Sequence, residues 1–292
     1  MRVPGPVAPA VSPVPLTWRL LRDAPLPGAR NMALDHALAA CLGEGEAVLR
    51  LYGWVRPTVS FGRNEPARGL YGDLPGVDLV RRPTGGRAVV HWRELTYAVV
   101  APLNAWGGLR AAYVAINEGL AWAFAALGVP AEVAGGARPA GAAAALGDAA
   151  EATGARGSAA ALGPDAGPCF QSPAPGEVVA VGRKLVGSAQ ARLAGSLLQH
   201  GSILLHDDQA MLERLAGGGV GAAGDRGGAR PATLSELVGD VSIDELAELV
   251  AMSLRETFGG SWAPGGYQPR EIETAARLEA ERYARDSWTW RR

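Results

Sequence analysis

The 292-residue chain is nearly devoid of lysine and cysteine. Of its 28 lysine and arginine residues only Lys184 is a lysine, which leaves 27 arginines. The two cysteines, Cys41 and Cys169, are too few for a disulfide framework and fit a reducing compartment. No C-x-x-C or H-E-x-x-H spacing occurs, so the sequence predicts no metal site.

The chain also lacks a strong charge of either sign and a long apolar run. A net charge of −1 gives no whole-chain reason to bind nucleic acid or a membrane. The most apolar segment, 111–129, is interrupted by Asn117 and Glu118, which predicts a buried helix and not a membrane span. The Pro-rich start has no basic region followed by an apolar run, so we expect no signal peptide and a cytoplasmic location.

Short strand-like runs, punctuated by Gly and Pro, precede a helical C-terminal third. This order predicts an α+β fold with a mixed, largely antiparallel sheet packed with helices. We predict strands at 17–21, 47–55, 58–62, 78–82, 87–91, 96–101, 177–181 and 197–205. We predict helices at 31–42 with Asn31 as N-cap, at 108–127, at 242–259 opened by a capping box at Ser242, and at 271–286, with a second box at Thr233 and Glu236.

Composition divides the chain into three parts. Residues 1–16 form a Pro-rich arm, residues 17–258 form the main domain, and residues 259–292 form a helical extension. Within the main domain, the Ala/Gly-rich stretches 134–167 and 216–232 are predicted to be flexible insertions.

The segment RRPTGGRAVVH, which starts at Arg81, places two glycines between two predicted strands. Gly85 and Gly86 let the backbone turn tightly and approach a ligand closely. Arg82, Arg87 and His91 flank this turn with donors suited to carbonyl or phosphate groups. The alternative is an ordinary hairpin with surface arginines.

The segment GRKLVGSAQ, which starts at Gly182, contains the single lysine. Burial tunes a lysine readily and its ammonium is a compact point charge, whereas arginine cannot give up its proton. Lys184 beside a Gly187-Ser188-Ala189 turn is therefore a candidate for chemistry. The alternative is that a GC-rich genome favours arginine over lysine, that Lys184 remains by chance, and that its side chain is solvated in a hairpin. The P-loop pattern is absent.

Two further candidates are a histidine and a cysteine. His200, followed by Gly201, interrupts the apolar strand LQHGSILL, although a lone histidine there is usually a satisfied core residue. Cys169 stands in a loop-like context where a nearby ammonium would raise its thiolate fraction, whereas Cys41 in an Ala/Leu helix behaves as a small hydrophobe. A purely structural Cys169 is the alternative.

In this order, the four segments resemble the lipoate-protein ligase and octanoyltransferase branch of the biotin/lipoate protein ligase superfamily. The resemblance covers roughly 18–206. The matching stretches are NMALD from Asn31, RRPTGGRAVVH from Arg81, ELTY from Glu94, Cys169-Phe170, GRKLVGSAQ from Gly182 and LQHGSILL from Leu198.

Three features resemble the cysteine-type octanoyltransferases more than the ATP-dependent ligases. ELTY stands where ligases tend to carry a G-N-x-N-F-like stretch, Gly-Gly-Arg replaces Gly-Gly-Gly, and Cys169-Phe170 precedes GRKLVGSAQ. One feature departs from the transferase pattern: PAPGEV at 173–178 lacks the tyrosine of P-S-x-Y-E-L.

The resemblance implies octanoyl transfer from acyl carrier protein to a lysine of a lipoyl-domain protein, such as the glycine-cleavage H protein. It implies a reacting pair, Cys169 and Lys184, that meets across a glycine-walled pocket, with Val89 and Val99 along the acyl tunnel. The implied substrate-binding residues are Arg82, Gly85, Gly86, Arg87, His91, Gly187, Ser188, Ala189, His200 and Gly201.

The alternatives are an ATP-dependent lipoate-protein ligase, an amidotransferase between lipoyl domains, and a non-catalytic lipoyl-domain-binding adaptor. No cofactor is expected, because thioester exchange needs no activation. ATP and Mg²⁺ belong to the ligase alternative alone.

Overall fold

The computed structural model describes residues 15–72, 74–135, 174–215 and 230–292. Most of the predicted arm (1–14) and of the two predicted insertions (136–167 and 216–229) lie outside the described residues. In chain order the elements are β1 Thr17–Arg22, α1 Gly28–Cys41, β2 Glu46–Tyr52, β3 Thr58–Phe61, β4 Asp78–Arg81, β5 Val89–His91, β6 Glu94–Pro102, α2 Leu109–Ala126, β7 Ala131–Val133, β8 Val178–Ala180, β9 Arg183–Lys184, β10 Val186–Leu193, β11 Ser196–Leu204, α3 Met211–Leu215, α4 Leu234–Val238, α5 Ile243–Phe258, β12 Ser261–Pro264, α6 Pro269–Leu278, a π-helical turn Glu279–Tyr283, and α7 Asp286–Thr289.

A six-stranded mixed sheet lies at the centre, in the order β10-β11-β6-β2-β1-β12. The pairs from β10 to β2 are antiparallel, and β1 runs parallel to both β2 and β12. Two three-stranded sheets, β4-β3-β5 and β7-β8-β9, flank it. The predicted α+β class with a mixed, largely antiparallel sheet is confirmed.

Helices cover both faces of the main sheet, which explains why its central strands are apolar on both sides. Successive side chains of β6 alternate between the faces. Val99 joins the core under α2 and α5, and Val100 joins the core under α1 and α6. Val99 is therefore a core residue. The expectation that it lines an acyl tunnel is wrong, because its side chain faces the helices behind the sheet.

Helix α1 begins at Gly28 with Pro27 as N-cap, so the prediction of Asn31 as N-cap is wrong. Asn31 is fully buried, and its amide donates to the carbonyls of Leu26 and Gly53 at 3.2 and 3.0 Å. Its Oδ1 accepts from Arg50 Nη2 at 2.7 Å. The Asn31 side chain therefore makes tertiary hydrogen bonds and does not cap the helix.

Local signals set the helix ends in the C-terminal third. Helix α5 starts after Ser242 and ends before Gly259 as predicted, although Ser242 makes no side-chain capping bond. Thr233 caps α4 by accepting from the Glu236 amide, but the Glu236 side chain pairs with Arg183, so only half of the predicted box forms. Residues 259–292 contain strand β12 as well as helices, because this short run pairs with β1 along the sheet edge.

His36 of α1 lies against the π-helical turn, where its Nδ1 is 2.9 Å from the hydroxyl of Tyr283. Burial, joined by the charges of Arg282, Arg63 and Arg277, lowers the pKa of His36 from 6.5 to about 4. The folded protein therefore holds this imidazole neutral.

This shift predicts a loss of stability in mild acid. Below pH 6.5 the unfolded chain takes up a proton on His36 that the folded chain refuses until about pH 4. The free energy of unfolding should fall over this window by up to about 3 kcal/mol from His36. Denaturant titrations of the wild type and His36→Gln at several pH values measure this, and the variant should show the shallower slope. His200, whose pKa is also lowered, keeps part of the slope in both proteins. Equal slopes would contradict the assignment to His36.

Across the described parts of the chain, none of the helices combines the length and apolarity that a membrane span requires.

Candidate active site

A pocket opens where β5, β10 and β11 meet the loop between β4 and β5. Its enclosed volume is about 40 Å³. Eight of the predicted substrate-binding residues line it: Arg82, Gly86, His91, Gly187, Ser188, Ala189, His200 and Gly201. The other lining residues are Met32, Tyr52, Ser60, Val89, Thr96 and Ser202. Three of the predicted segments, around Arg82, Gly187 and His200, therefore converge here, whereas Gly85, Arg87 and Lys184 are absent from the lining.

The pairing of β10 with β11 and of β11 with β6 brings two of the predicted motifs side by side. The aligned pairs are Gly187 with Ser202, Ser188 with Gly201, and Ala189 with His200. Gly187-Ser188-Ala189 is therefore strand and not the predicted turn, because eight residues of β10 pair continuously with β11. Since β10 is the edge strand, alternate N–H groups of this stretch point away from β11.

Glycine is needed at position 201 because the wall is tightly packed there. A Cβ on Gly201 would lie 2.7 Å from the carbonyl oxygen of Gly187 and 2.8 Å from the ring of Tyr97. A larger residue would push β10 away from β11. The predicted glycine-walled character of the pocket thus has a definite steric basis at this position.

The Gly-Gly loop does not close a simple hairpin. Strands β4 and β5 both pair with β3, so the loop crosses over that strand. Arg82 holds the loop from inside, donating to the carbonyls of Gly85, Ser60 and Arg87 at 2.6–3.0 Å. Gly86 has a φ of +91°, in the region that favours glycine. Arg82 therefore shapes the pocket wall by organising the loop backbone.

His200 belongs to a buried chain of hydrogen bonds. Its Nδ1 is 2.8 Å from Asp35 Oδ2, and its Nε2 is 2.7 Å from Thr84 Oγ1. Arg50 Nη1 and the Tyr52 hydroxyl also donate to Asp35, at 2.7 and 2.9 Å. Since a carboxylate only accepts, His200 donates from Nδ1 and accepts the Thr84 proton at Nε2. These hydrogen bonds fix the position of Thr84, which directly precedes the Gly-Gly loop.

The surroundings of these hydrogen-bonded side chains favour a neutral His200 imidazole and a charged Asp35 carboxylate. Burial lowers the pKa of His200, although the hydrogen bond to Asp35 acts in the opposite direction. Burial alone would raise the pKa of Asp35, but the hydrogen bond from His200 and the charge of Arg50 together lower it. No sequence signal indicated that Asp35, in an apolar helix, would be the partner of His200.

His91 lies in a second polar cluster at the pocket floor. Its Nδ1 is 2.8 Å from Glu94 Oε1 and its Nε2 is 2.8 Å from Ser60 Oγ. The indole of Trp54 stacks on the imidazole at 4.2 Å. Ser202 also donates to Glu94, at 2.8 Å. Both ring nitrogens of His91 are thus engaged within the protein while one edge of the ring lines the pocket.

Lys184 is buried in β9, and its Nζ donates to Glu177 Oε1 at 2.7 Å. The other oxygen of Glu177 accepts from the backbone amide of Ala174 at 2.8 Å. The ion pair therefore fixes the position where the described chain resumes. Cys169 lies outside the described residues, so its predicted meeting with Lys184 stays a prediction.

Asn117 of α2 connects this same segment to the pocket wall. Its amide nitrogen donates to the Gly176 carbonyl at 2.6 Å, and its Oδ1 accepts from Ser188 Oγ at 3.2 Å. Ser188 is also hydrogen-bonded to the Tyr97 hydroxyl at 2.8 Å, and Gln199 donates to that hydroxyl at 2.9 Å. Sequence reasoning missed Asn117 and Glu177, because each acts through a partner on another element.

Two solved structures show the same fold. A protein from T. acidophilum with bound lipoic acid superposes with a TM-score of 0.70 at 23% identity, covering 94% of this chain and 100% of the other. A lipoate-protein ligase A bound with ATP gives a TM-score of 0.68 at 23% identity, covering 94% and 99%. These TM-scores establish the shared fold.

The sequence profile of the lipoyl protein ligase A/B catalytic domain matches residues 27–255, and the chain belongs to this family. Octanoyltransferase LipM of Symbiobacterium thermophilum is 37% identical over 288 residues, covering 94% of this chain and 98% of the relative. Octanoyltransferase LipM of Kyrpidia tusciae is 38% identical over 291 residues, covering 94% and 99%. The relatives confirm the predicted enzyme class, an octanoyltransferase.

Proposed function

We propose that this chain transfers an octanoyl group from octanoyl-acyl carrier protein to a lysine of a lipoyl-domain protein, through a thioester on Cys169 and without a cofactor. The observation that carries the proposal is the buried Lys184–Glu177 pair. Its carboxylate fixes Ala174, five positions after Cys169 in the sequence. The chain's single lysine is thereby tied to the segment that follows its candidate nucleophile.

The proposed reaction has two steps. The Cys169 thiolate attacks the carbonyl carbon of the octanoyl thioester, a new carbon–sulfur bond forms, and the carrier's thiol leaves with the proton that Cys169 gave up. The acceptor lysine amine then attacks this acyl-enzyme, the amide C–N bond forms, the C–S bond to Cys169 breaks, and the proton that the amine loses passes to the Cys169 sulfur. Exchange between thioesters is nearly neutral and amide formation is downhill, so ATP is not required.

Lys184 serves this reaction as a charged donor. Its Nζ, held at 2.7 Å by the Glu177 carboxylate, is suited to donate to the acyl oxygen as negative charge develops there. The apolar side chains of Met32 and Val89 in the pocket lining suit the acyl chain. We propose the cytoplasm as the location and a glycine-cleavage H protein as the acceptor.

The test is a transfer assay with purified protein, octanoyl-acyl carrier protein and an apo glycine-cleavage H protein, with and without Mg-ATP. We expect octanoylated acceptor at the same rate in both arms. A third arm supplies free octanoate or lipoate with Mg-ATP, and a fourth supplies an octanoylated lipoyl domain as donor. Product formed in the third arm alone would establish the ligase, product in the fourth alone would establish amidotransfer, and either result would overturn the proposal.

A further inference from the structure

Arginine side chains concentrate at one corner of the molecule, where the C-terminal segment packs on the loop after β3. Arg291 Nη2 donates to the Arg63 carbonyl at 2.5 Å and to Asn64 Oδ1 at 3.3 Å. The Ala67 amide donates to the Arg292 carbonyl at 2.9 Å. These bonds hold the two segments together. We define the arginine surface as Arg63, Arg68, Arg282, Arg285, Arg291 and Arg292.

The arginines of this surface are near enough to repel one another. Burial, and then the charges of Arg63, Arg292 and Arg282, lower the pKa of Arg291. The same corner contributes to the depressed pKa of His36. Like charges brought together on a surface are unfavourable, and an anionic partner would relieve their repulsion.

Several arginines elsewhere in the described structure are neutralised by carboxylates, whereas the arginines of this surface are not. Within the described ranges, Arg19, Arg50 and Arg183 each pair with a carboxylate, but none of the six arginines has one within 4.0 Å. One acid, Asp286, lies in the adjoining cleft with Arg68 and Arg291. Arg282 and Arg291 pack on the Trp288 ring at 4.8 and 4.2 Å, which holds their guanidinium groups in place.

The arginine surface adjoins the pocket without lining it. The Arg63 amide donates to the Thr84 carbonyl at 2.7 Å, and Thr84 is hydrogen-bonded to His200 in the pocket wall. None of the six side chains appears in the lining. A partner docked on this surface would therefore sit beside the pocket, and its acyl group would have to extend from the partner into the pocket.

We infer that the arginine surface docks the acyl donor, a small acidic protein that carries its acyl chain on a phosphopantetheine arm. Guanidinium groups match both carboxylates and the phosphodiester at the root of that arm. The acceptor fits less well, because a lysine side chain is short and its protein must sit at the pocket mouth itself. This inference rests on the proposed function, and it adds the site where the donor binds.

The test compares two charge-reversed proteins of equal net charge. Arg63→Glu/Arg68→Glu alters the surface, and Arg110→Glu/Arg192→Glu alters exposed arginines elsewhere; within the described chain none of these four side chains makes a hydrogen bond or ion pair. We expect the KM for octanoyl-acyl carrier protein to rise about tenfold in the first variant only. Transfer from octanoyl-pantetheine, which has no carrier protein, should match the wild type, and so should the KM for the acceptor.

Several results would overturn the inference: an unchanged donor KM, an equal rise in both variants, or a rise in the acceptor KM instead. The Kd for octanoyl-acyl carrier protein, measured without acceptor and with Cys169→Ser added to each protein so that the acyl group stays on the carrier, separates this inference from the proposed function. Wild-type binding without transfer would reject the proposed function, whereas equal Kd values in both variants would reject the arginine surface as the docking site.

Discussion

Replacing Cys169 with serine is expected to abolish octanoyl transfer, lowering kcat by at least about 10³-fold. A thiol exists partly as thiolate near neutral pH, whereas a serine hydroxyl needs a dedicated base to become a nucleophile. In this family member the covalent step has no substitute sulfur, since the only other cysteine is Cys41. The measurement is single-turnover transfer from octanoyl-acyl carrier protein to the acceptor.

Cys41→Ser is the matched control. Cys41 ends helix α1 and is half-buried, with its Sγ 3.5 Å from Thr274 Oγ1 and 3.7 Å from the Arg270 carbonyl. Serine can keep both contacts, so this variant should retain wild-type activity. Intact-mass analysis without acceptor should find one octanoyl adduct on the wild type and on Cys41→Ser, and none on Cys169→Ser. Wild-type transfer by Cys169→Ser would reject the cysteine mechanism.

The parts of the fold that depend on local chemistry were predictable from sequence. The end of α5 follows from Gly259, which has a φ of +59°, and the strands follow from short apolar runs between glycines and prolines. The prediction of a turn at Gly187-Ser188-Ala189 was wrong, although glycine and serine favour turns in isolation. Pairing with β11 across eight residues outweighs that preference. Register with a distant strand is not visible in a local window.

Within the pocket, sequence reasoning found which segments converge but not what each side chain does. Arg82 was expected to present donors to a ligand, yet it directs several of them to backbone carbonyls of its own loop. Asp35 meets His200 across 165 positions, and no spacing rule links them. The tertiary fold determines which groups hydrogen-bond to a buried polar side chain. Local sequence patterns do not reveal these long-range contacts.

Replacing Lys184 with methionine is expected to lower kcat by about 10²–10³-fold, the usual cost of losing one donor to a developing oxyanion. Lys184→Arg should be almost as inactive, because the planar guanidinium cannot replace a compact ammonium in this buried space. The substitution alone is ambiguous. It also leaves the Glu177 carboxylate largely buried without its partner, which can cost up to about 3–5 kcal/mol of stability.

The double variant Lys184→Met/Glu177→Gln separates chemistry from folding. It removes both charges, so most of the stability lost in Lys184→Met should return, as measured by denaturant titration. The carbonyl oxygen of the introduced glutamine can still accept from the Ala174 amide and keep the segment in place. If Lys184 supplies the donor, octanoyl transfer stays as low as in the single variant. If the double variant regains wild-type kcat together with its stability, Lys184 acts only through the fold, and its role in the reaction is rejected.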